Sequence, residues 1–173
     1  MKINRGAQVK LTPKIMNKII AHVNEAFSYY YNPTDRSIQT LKEHITRGKM
    51  AEYGYYLIAK NIGIPITEPD LENHKNGDDG GKDFTVNKTT VNVKSLDASK
   101  RGFYQVPIPD LRAEAYVLCW VHMYNKTVTY EGCITRNKIQ MEELLEEGKN
   151  PTSGKPYKYV NKKYLSELNE NFE

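Results

Sequence analysis

The chain has 173 residues, of which 39% are hydrophobic and 27% charged, a composition typical of a soluble globular domain. No apolar run approaches the ~20 residues that span a membrane, and the N-terminal residues lack the apolar core of a secretory signal. The formal charge of +4 permits nucleic acid as a partner without indicating one. We therefore expect one cytoplasmic domain with no membrane contact. Cys119 and Cys133 lie in strand-like runs and are expected to be buried, reduced thiols.

The spacing of apolar residues predicts helices near residues 13 to 31, 35 to 47, 49 to 61, 138 to 147 and 162 to 171. Thr12 followed by Pro13 marks the start of the first helix, because threonine caps a helix and proline fits its first position. Gly48 is expected to end the second helix. Glu52 falls in the first turn of the third helix, where the helix dipole favours acids.

Alternation of apolar and polar residues predicts strands over residues 83 to 86, 89 to 96, 115 to 124, 127 to 135 and 157 to 160. Asn87 and Lys88 link the first two strands, so we expect a tight hairpin there. The Gly/Asp-rich stretch from residue 77 to 81 is expected to be a loop that leads up to Asp83. These elements predict an α/β fold, in which helices flank a central mixed sheet that contains the first four strands.

The predicted hairpin puts polar side chains on one face. Val91 and Val93 point to one side of their strand, so Asn92 and Lys94 point to the other. On the first strand, Asp83 lies on the polar side. A carboxylate and a lysine on the polar faces of neighbouring strands lie roughly 5 to 8 Å apart, given the spacing and rise of strands. One metal ion and one phosphate can bridge that distance.

This pattern resembles the PD-(D/E)XK nucleases, in which an aspartate on one strand and an acid-x-lysine on the next hold a divalent metal and an attacking water. Asp83 stands at the first acid, and Asn92-Val93-Lys94 stands where (D/E)-x-K is expected. Glu52 stands where this family often has a metal-site glutamate on the preceding helix. The resemblance covers roughly residues 48 to 139.

The resemblance implies a restriction-endonuclease-like fold in a phage-encoded or bacterial member of the family. The pair of N-terminal helices is an addition that has no counterpart in the common core of the family. It also implies a Mg²⁺ or Mn²⁺ cofactor, held by Asp83, Glu52, Asn92 and the carbonyl of Val93. Lys94 would orient or deprotonate the water. These four side chains, Glu52, Asp83, Asn92 and Lys94, are the expected catalytic residues.

Asn92 departs from the family pattern, because its amide can ligate Mg²⁺ but brings no charge. The site then needs a further acid or binds metal more weakly. Glu52 is the first candidate, although the helix dipole alone accounts for an acid at its position. If Glu52 points elsewhere, Asp78 or Asp79 in the preceding loop would replace it.

The resemblance implies DNA as the partner, and basic and aromatic residues near the hairpin suit a phosphate backbone and a stacked base. They are Lys82, Lys88, Lys100, Arg101, Tyr104 and Arg112. We expect a single domain over residues 1 to 173, made of an N-terminal helical addition (1 to 48), a nuclease-like core (49 to 147) and a C-terminal extension (148 to 173). The helical addition is interpreted as a DNA-binding or dimerising element, which leaves a homodimer open.

Three functions fit the sequence. The leading hypothesis is a divalent-metal-dependent DNA endonuclease that hydrolyses phosphodiester bonds. The alternative is a nucleic-acid-binding or inhibitory protein on the same fold, whose catalysis was lost together with the second acid, and Asn92 favours it. The third is a structural subunit in which Asp83 and Lys94 form a plain surface ion pair.

Overall fold

The computed structural model describes residues 2–30, 37–71, 82–100, 105–108, 111–149, 156–166 and 168–169, with backbone alone at 27–30, 100 and 168–169. The helices in these ranges are α1 (Pro13–Tyr30), α2 (Ile38–Asn61) and α3 (Arg136–Met141). The strands are β1 (Lys2–Ile3), β2 (Gln8–Lys10), β3 (Phe84–Val86), β4 (Thr89–Asp97), β5 (Gln105–Pro107), β6 (Ala115–His122), β7 (Thr127–Thr135), β8 (Glu146–Lys149), β9 (Pro156–Asn161) and β10 (Leu168–Asn169). Short 3-10 helices cover Ala98–Lys100 and Lys162–Tyr164. None of the described helices is long and apolar enough to cross a membrane.

The predicted central strands all lie in one sheet of order β2-β7-β6-β4-β3. β4 and β6 are parallel while the other neighbours are antiparallel, so the protein is α/β with a mixed sheet, as expected. β3 is an edge strand of this sheet and β6 is its middle strand. The hairpin of β3 and β4 therefore lies at one side of the sheet rather than at its centre.

The two faces of the main sheet are covered by different layers. Val91 and Val93 pack in one core cluster with residues of α1 and α2, and we name this side the helix face. Tyr116 and Leu118 pack in a second cluster with α3 and with Val160 of a three-stranded sheet of order β5-β9-β8. We name this second side the small-sheet face. Each face thus has a hydrophobic core of its own.

The two cysteines are buried free thiols, as expected. Both belong to the core of the helix face. Burial raises the pKa of Cys119 and of Cys133, so both thiols stay protonated near neutral pH. A buried protonated thiol is a poor nucleophile, which fits a packing role.

Helix α1 matches the prediction, but α2 is one continuous helix where two were expected. It begins after Ser37, whose side chain accepts a hydrogen bond from the backbone N–H of Thr40, and it runs through Gly48. A glycine inside a helix costs only about 0.5–1 kcal/mol relative to alanine. Burial of most side chains over residues 50 to 59 outweighs that cost. The helix therefore crosses the boundary proposed between residues 48 and 49.

The chain after β7 departs from the predicted helices because long-range strand pairing replaces local helical structure. α3 ends at Met141, and the positive φ of 48° at Glu143 turns the chain into β8. The strand predicted over residues 157 to 160 is confirmed as β9, which pairs with both β8 and β5. The helix predicted over residues 162 to 171 is wrong, because a 3-10 helix and then β10, paired with β1, take its place.

Candidate active site

The predicted hairpin is present, and its register is set by a two-residue turn. Phe84 pairs with Val91 in an antiparallel ladder. Asn87 and Lys88 form the turn, with φ values of 46° and 71°. Positive φ at both central residues is what a type I′ hairpin turn requires, and asparagine tolerates that conformation well. The turn chemistry of these two residues therefore fixes which residues of β3 and β4 face each other.

Asp83 is held against β4 by two hydrogen bonds. Its backbone N–H donates to the carbonyl of Val91 at 2.9 Å. Its carboxylate oxygen Oδ2 accepts from the backbone N–H of Val93 at 2.6 Å. Hydrogen bonds to an ionised acceptor are shorter and stronger than neutral ones. The acid of the motif is thus locked to the middle residue of Asn92-Val93-Lys94.

Asn92 and Lys94 lie on the small-sheet face of β4, and the Asp83 carboxylate is hydrogen-bonded to the residue between them; we name these three residues the polar row. Because Val91 and Val93 pack on the helix face, alternation along the strand turns Asn92 and Lys94 to the opposite side. Asp83 precedes β3 and does not continue its register, because its backbone N–H donates to the carbonyl of Val91, which is already paired with Phe84. Its carboxylate accepts from the N–H of Val93, between Asn92 and Lys94. Asn92 is only 8% exposed, and Lys94 is half-buried. The row is therefore a partly dehydrated polar strip beside a hydrophobic core.

Glu52 lies on α2, whose neighbouring residues pack on the helix face. The residue is 8% exposed, and its carboxylate oxygen Oε2 accepts from Lys49 Nζ at 2.8 Å. Lys49 Nζ also lies 3.4 Å from the carbonyl of Asp70. Glu52 joins the polar row only if it reaches past the edge of the sheet at β3. Its convergence with Asp83 on one metal ion stays a prediction.

The segment that leads toward the hairpin is anchored to α1 at residues 68–71. Lys18 Nζ donates to Glu68 Oε1 at 3.0 Å. His22 donates from Nδ1 to the carbonyl of Leu71 at 2.8 Å. Burial lowers the pKa of His22 below its usual value near 6.5, so the ring is neutral at pH 7 and carries its proton on Nδ1. These contacts hold residues 68–71 against α1.

A further acid, Glu114, lies immediately before β6 and was not singled out from the sequence. Its Oε2 accepts from the backbone N–H of Thr90 at 2.7 Å and from the Thr90 hydroxyl at 2.9 Å. These hydrogen bonds lower the pKa of Glu114 and keep the carboxylate ionised. Thr90 precedes Asn92 by two residues and so shares its face of β4. Only the parallel pairing of β4 with β6, which the sequence did not predict, could have pointed to Glu114.

Part of the predicted DNA-binding set is described, and that part is solvent-accessible. Lys88 in the hairpin turn, Lys82 just before Asp83, and Arg112 before β6 are all exposed. The remaining predicted residues lie outside the described side chains: Lys100, Arg101, Tyr104 and the two substitute acids Asp78 and Asp79. Phosphate contacts by exposed cations near the polar row therefore stay a prediction.

Comparison with known proteins adds no identification. No protein-family model, curated protein or solved structure matches this chain. In chain order, the helices and strands described around the hairpin are α2, β3, β4, β5, β6, β7 and α3. The family resemblance therefore rests on the residues of the hairpin and stays a prediction.

Proposed function

We propose that the chain is a divalent-metal-dependent DNA endonuclease with a restriction-endonuclease-like core, acting at the polar row. The hydrogen bond from the Val93 N–H to Asp83 Oδ2, at 2.6 Å, supports this most directly. It holds the first acid of the motif at the strand that carries Asn92 and Lys94. Rigid strands fix these groups, as a site that positions a phosphate requires.

The residues of the hairpin suit Mg²⁺ or Mn²⁺. Both ions prefer oxygen ligands, and Mg²⁺ is commonly held by one or two carboxylates together with several waters. Asp83, Asn92 and the carbonyl of Val93 would hold the ion, joined by Glu52 if it reaches past the sheet edge. The described ranges contain no group of three or more His, Cys, Asp or Glu residues that could hold a metal, so this site depends on neutral oxygens. When bound, the ion supplies a hydroxide near neutral pH and offsets charge on the phosphate.

Lys94 is the residue assigned to the reacting phosphate and water. It lies two positions from Asn92 on the same face of β4, and it is half-buried. A partly desolvated ammonium group interacts more strongly with developing negative charge than an exposed one does. Lys94 would orient the attacking water and offset the charge that builds on the phosphate. Lys82, Lys88 and Arg112 would hold neighbouring phosphates.

Cleavage of linear, nicked and branched DNA in the presence of Mn²⁺ tests this function. Lys94→Met removes the charge and keeps an apolar stem, so cleavage is expected to fall by about 10²–10³-fold while Mn²⁺ binding persists. Asp83→Asn is expected to lose both cleavage and tight Mn²⁺ binding. Because both variants are purified in the same way, cleavage that survives in both would come from a contaminating nuclease and would contradict the proposal.

A nucleic-acid-binding or inhibitory protein on the same fold is the second candidate. It is favoured by the neutral side chain of Asn92 and by the ion pair of Glu52 with Lys49 at 2.8 Å, which balances the charge of Glu52. This candidate predicts DNA binding that is equal in EDTA and in Mn²⁺, with no cleavage. Asn92→Asp separates the two candidates further. A site that lacks only its second acid gains cleavage on that change, whereas a pure binding surface does not.

A further inference from the structure

A cavity with mostly polar lining residues lies at the Trp120 and Thr129 end of the small-sheet face. It has a volume of about 210 Å³ and is lined by Arg5, Gly6, Trp120, Thr129, Glu131 and Lys162. Trp120 pairs with Leu96, which is four residues beyond Asn92 along β4. At the usual rise of a strand this separation is about 13 Å. The cavity is therefore distinct from the polar row.

An irregularity in β7 shapes this cavity. Cys119 of β6 pairs with Tyr130, while the preceding residue, Leu118, pairs with Gly132. Glu131 is thus the extra residue of a β-bulge. Bulges redirect side chains and occur often beside functional sites. The bulge explains how an acid of the middle of β7 comes to line an open cavity.

Arg5 presents a fixed cation to the cavity. Its Nε donates to the carbonyl of Glu131 at 2.7 Å, and its Nη2 donates to the carbonyl of Leu165 at 3.1 Å. A guanidinium has five N–H groups, so three of them have no hydrogen-bond partner among the described residues. The side chain is 46% exposed. Two carbonyls therefore hold Arg5 in place while the rest of its planar fork can receive an anion.

The other polar groups leave a positive balance. Lys162 Nζ lies 5.3 Å from the centre of the Trp120 ring. The one acid, Glu131, accepts from Trp120 Nε1 through Oε2 at 2.9 Å, and its Oε1 lies 3.9 Å from Arg5 Nε. Thr129 Oγ1 accepts from Gln8 at 2.9 Å, which leaves the Thr129 hydroxyl proton to donate elsewhere. Two cations, one hydroxyl donor and one engaged carboxylate favour an anionic ligand.

We propose that this cavity binds a phosphate group, either of a nucleic-acid backbone or of a free phosphate ester. The guanidinium fork of Arg5 matches two phosphate oxygens, and Lys162, which also lines the cavity, adds a point charge. The Thr129 hydroxyl supplies a neutral donor. The negative charge of Glu131 lowers the affinity of the site for phosphate, so removing that charge should raise the affinity. The site does not depend on metal binding at the polar row.

Trp120 is the single tryptophan of the chain, so its fluorescence reports on this cavity. Wild-type protein is titrated in EDTA, at constant ionic strength, with inorganic phosphate and separately with oligothymidylate that carries no terminal phosphate. A saturable fluorescence change is expected with inorganic phosphate. Arg5→Gln should weaken binding by about tenfold or more, because it removes a charge-assisted hydrogen-bond donor. Glu131→Gln keeps an acceptor for Trp120 and removes the negative charge, so it should bind phosphate more tightly than wild type.

Two controls keep the result decisive. Lys10→Gln changes an exposed lysine of β2 outside the cavity and should leave the dissociation constant unchanged. If thermal melting shows that Arg5→Gln is unfolded, Lys162→Gln is measured by calorimetry instead and is likewise expected to bind more weakly. If wild type responds to both ligands and the Arg5 or Lys162 variant loses both responses, the phosphate belongs to a nucleic-acid backbone. If wild type responds to inorganic phosphate but not to oligothymidylate, the ligand is a free phosphate ester. No saturable response, or equal dissociation constants in wild type and in the Arg5 or Lys162 variant, overturns the proposal.

Discussion

The Asp83 carboxylate provides both an acceptor oxygen for the Val93 N–H and a negative charge. Two substitutions at Asp83 separate the contribution of the acceptor from that of the charge. Asp83→Ala removes both and leaves the half-buried N–H of Val93 unpaired, which is expected to lower the free energy of unfolding by about 1–3 kcal/mol. Asp83→Asn keeps an acceptor and should lose less. Urea denaturation of the two variants measures the difference. Equal stability of Asp83→Ala and wild type would show that the 2.6 Å hydrogen bond does not hold the hairpin.

His22 is expected to make stability depend on pH. Burial lowers its pKa in the folded state, so the unfolded chain takes up the proton first as the pH falls. The stabilisation by neutral His22 is complete above the unfolded-state pKa of about 6.5 and is lost as the pH falls toward the folded-state pKa. His22→Asn can still donate to the carbonyl of Leu71 but does not titrate. Urea denaturation at pH 7.0 and 5.5 should therefore show a larger loss of stability in wild type than in His22→Asn, and parallel losses would contradict this account.

Helix α2 packs so closely on the main sheet that one glycine in it has no room for a side chain. A Cβ atom at Gly54 would lie 2.4 Å from Val128, whereas a Cβ at Gly48 would meet nothing within 4 Å. Gly54→Ala should therefore destabilise the protein by about 1–3 kcal/mol through overpacking. Gly48→Ala should stabilise it by about 0.5–1 kcal/mol if the helix runs through that position. Thermal or urea denaturation of this pair checks both the packing and the continuity of α2, and a loss of stability in Gly48→Ala would restore the break predicted there.

The sequence was a good guide to elements whose signals are local. Alternation located β3, β4, β6, β7 and β9, and the Asn87-Lys88 link predicted the hairpin. The break at Gly48 was wrong because a weak local preference is outweighed by burial along the second half of α2. The helix predicted over residues 162 to 171 was wrong for a similar reason, since the long-range pairing of β10 with β1 outweighs a local helical preference.

The candidate site was predictable only where it depends on local alternation of side chains along a strand. Alternation correctly placed Asn92 and Lys94 on the face opposite Val91 and Val93. Which residues lie beside that face depends on the parallel pairing of β4 and β6, and no local signal encodes a parallel pair. Glu114, which accepts two hydrogen bonds from Thr90, was therefore missed.

Across the whole molecule, Lys82 and Lys88 lie just before and just after β3 and Arg112 lies shortly before β6, whereas β2 forms the edge of the main sheet opposite β3. If Lys88 and Arg112 each contact a phosphate, replacing either with glutamine should reduce the slope of log affinity against log salt by about 1. Lys10→Gln, on β2, should leave the slope unchanged. Fluorescence anisotropy with labelled duplex DNA in EDTA at several salt concentrations measures these slopes. Equal slopes in wild type and in the Lys88, Arg112 and Lys10 variants would place the DNA elsewhere on the surface.

The central claim is that the polar row is a metal site, and calorimetric titration with Mn²⁺ tests it most directly. Asp83→Asn removes the charged ligand while keeping an acceptor for Val93, so Mn²⁺ affinity should fall by about tenfold or more. Asn92→Asp adds a charged ligand on the same face of β4 and should raise the affinity above that of wild type. Loss in the first variant and gain in the second are the results that the account predicts. Mn²⁺ affinity that is the same in wild type, Asp83→Asn and Asn92→Asp would contradict it, and the proposed nuclease activity would fall with the site.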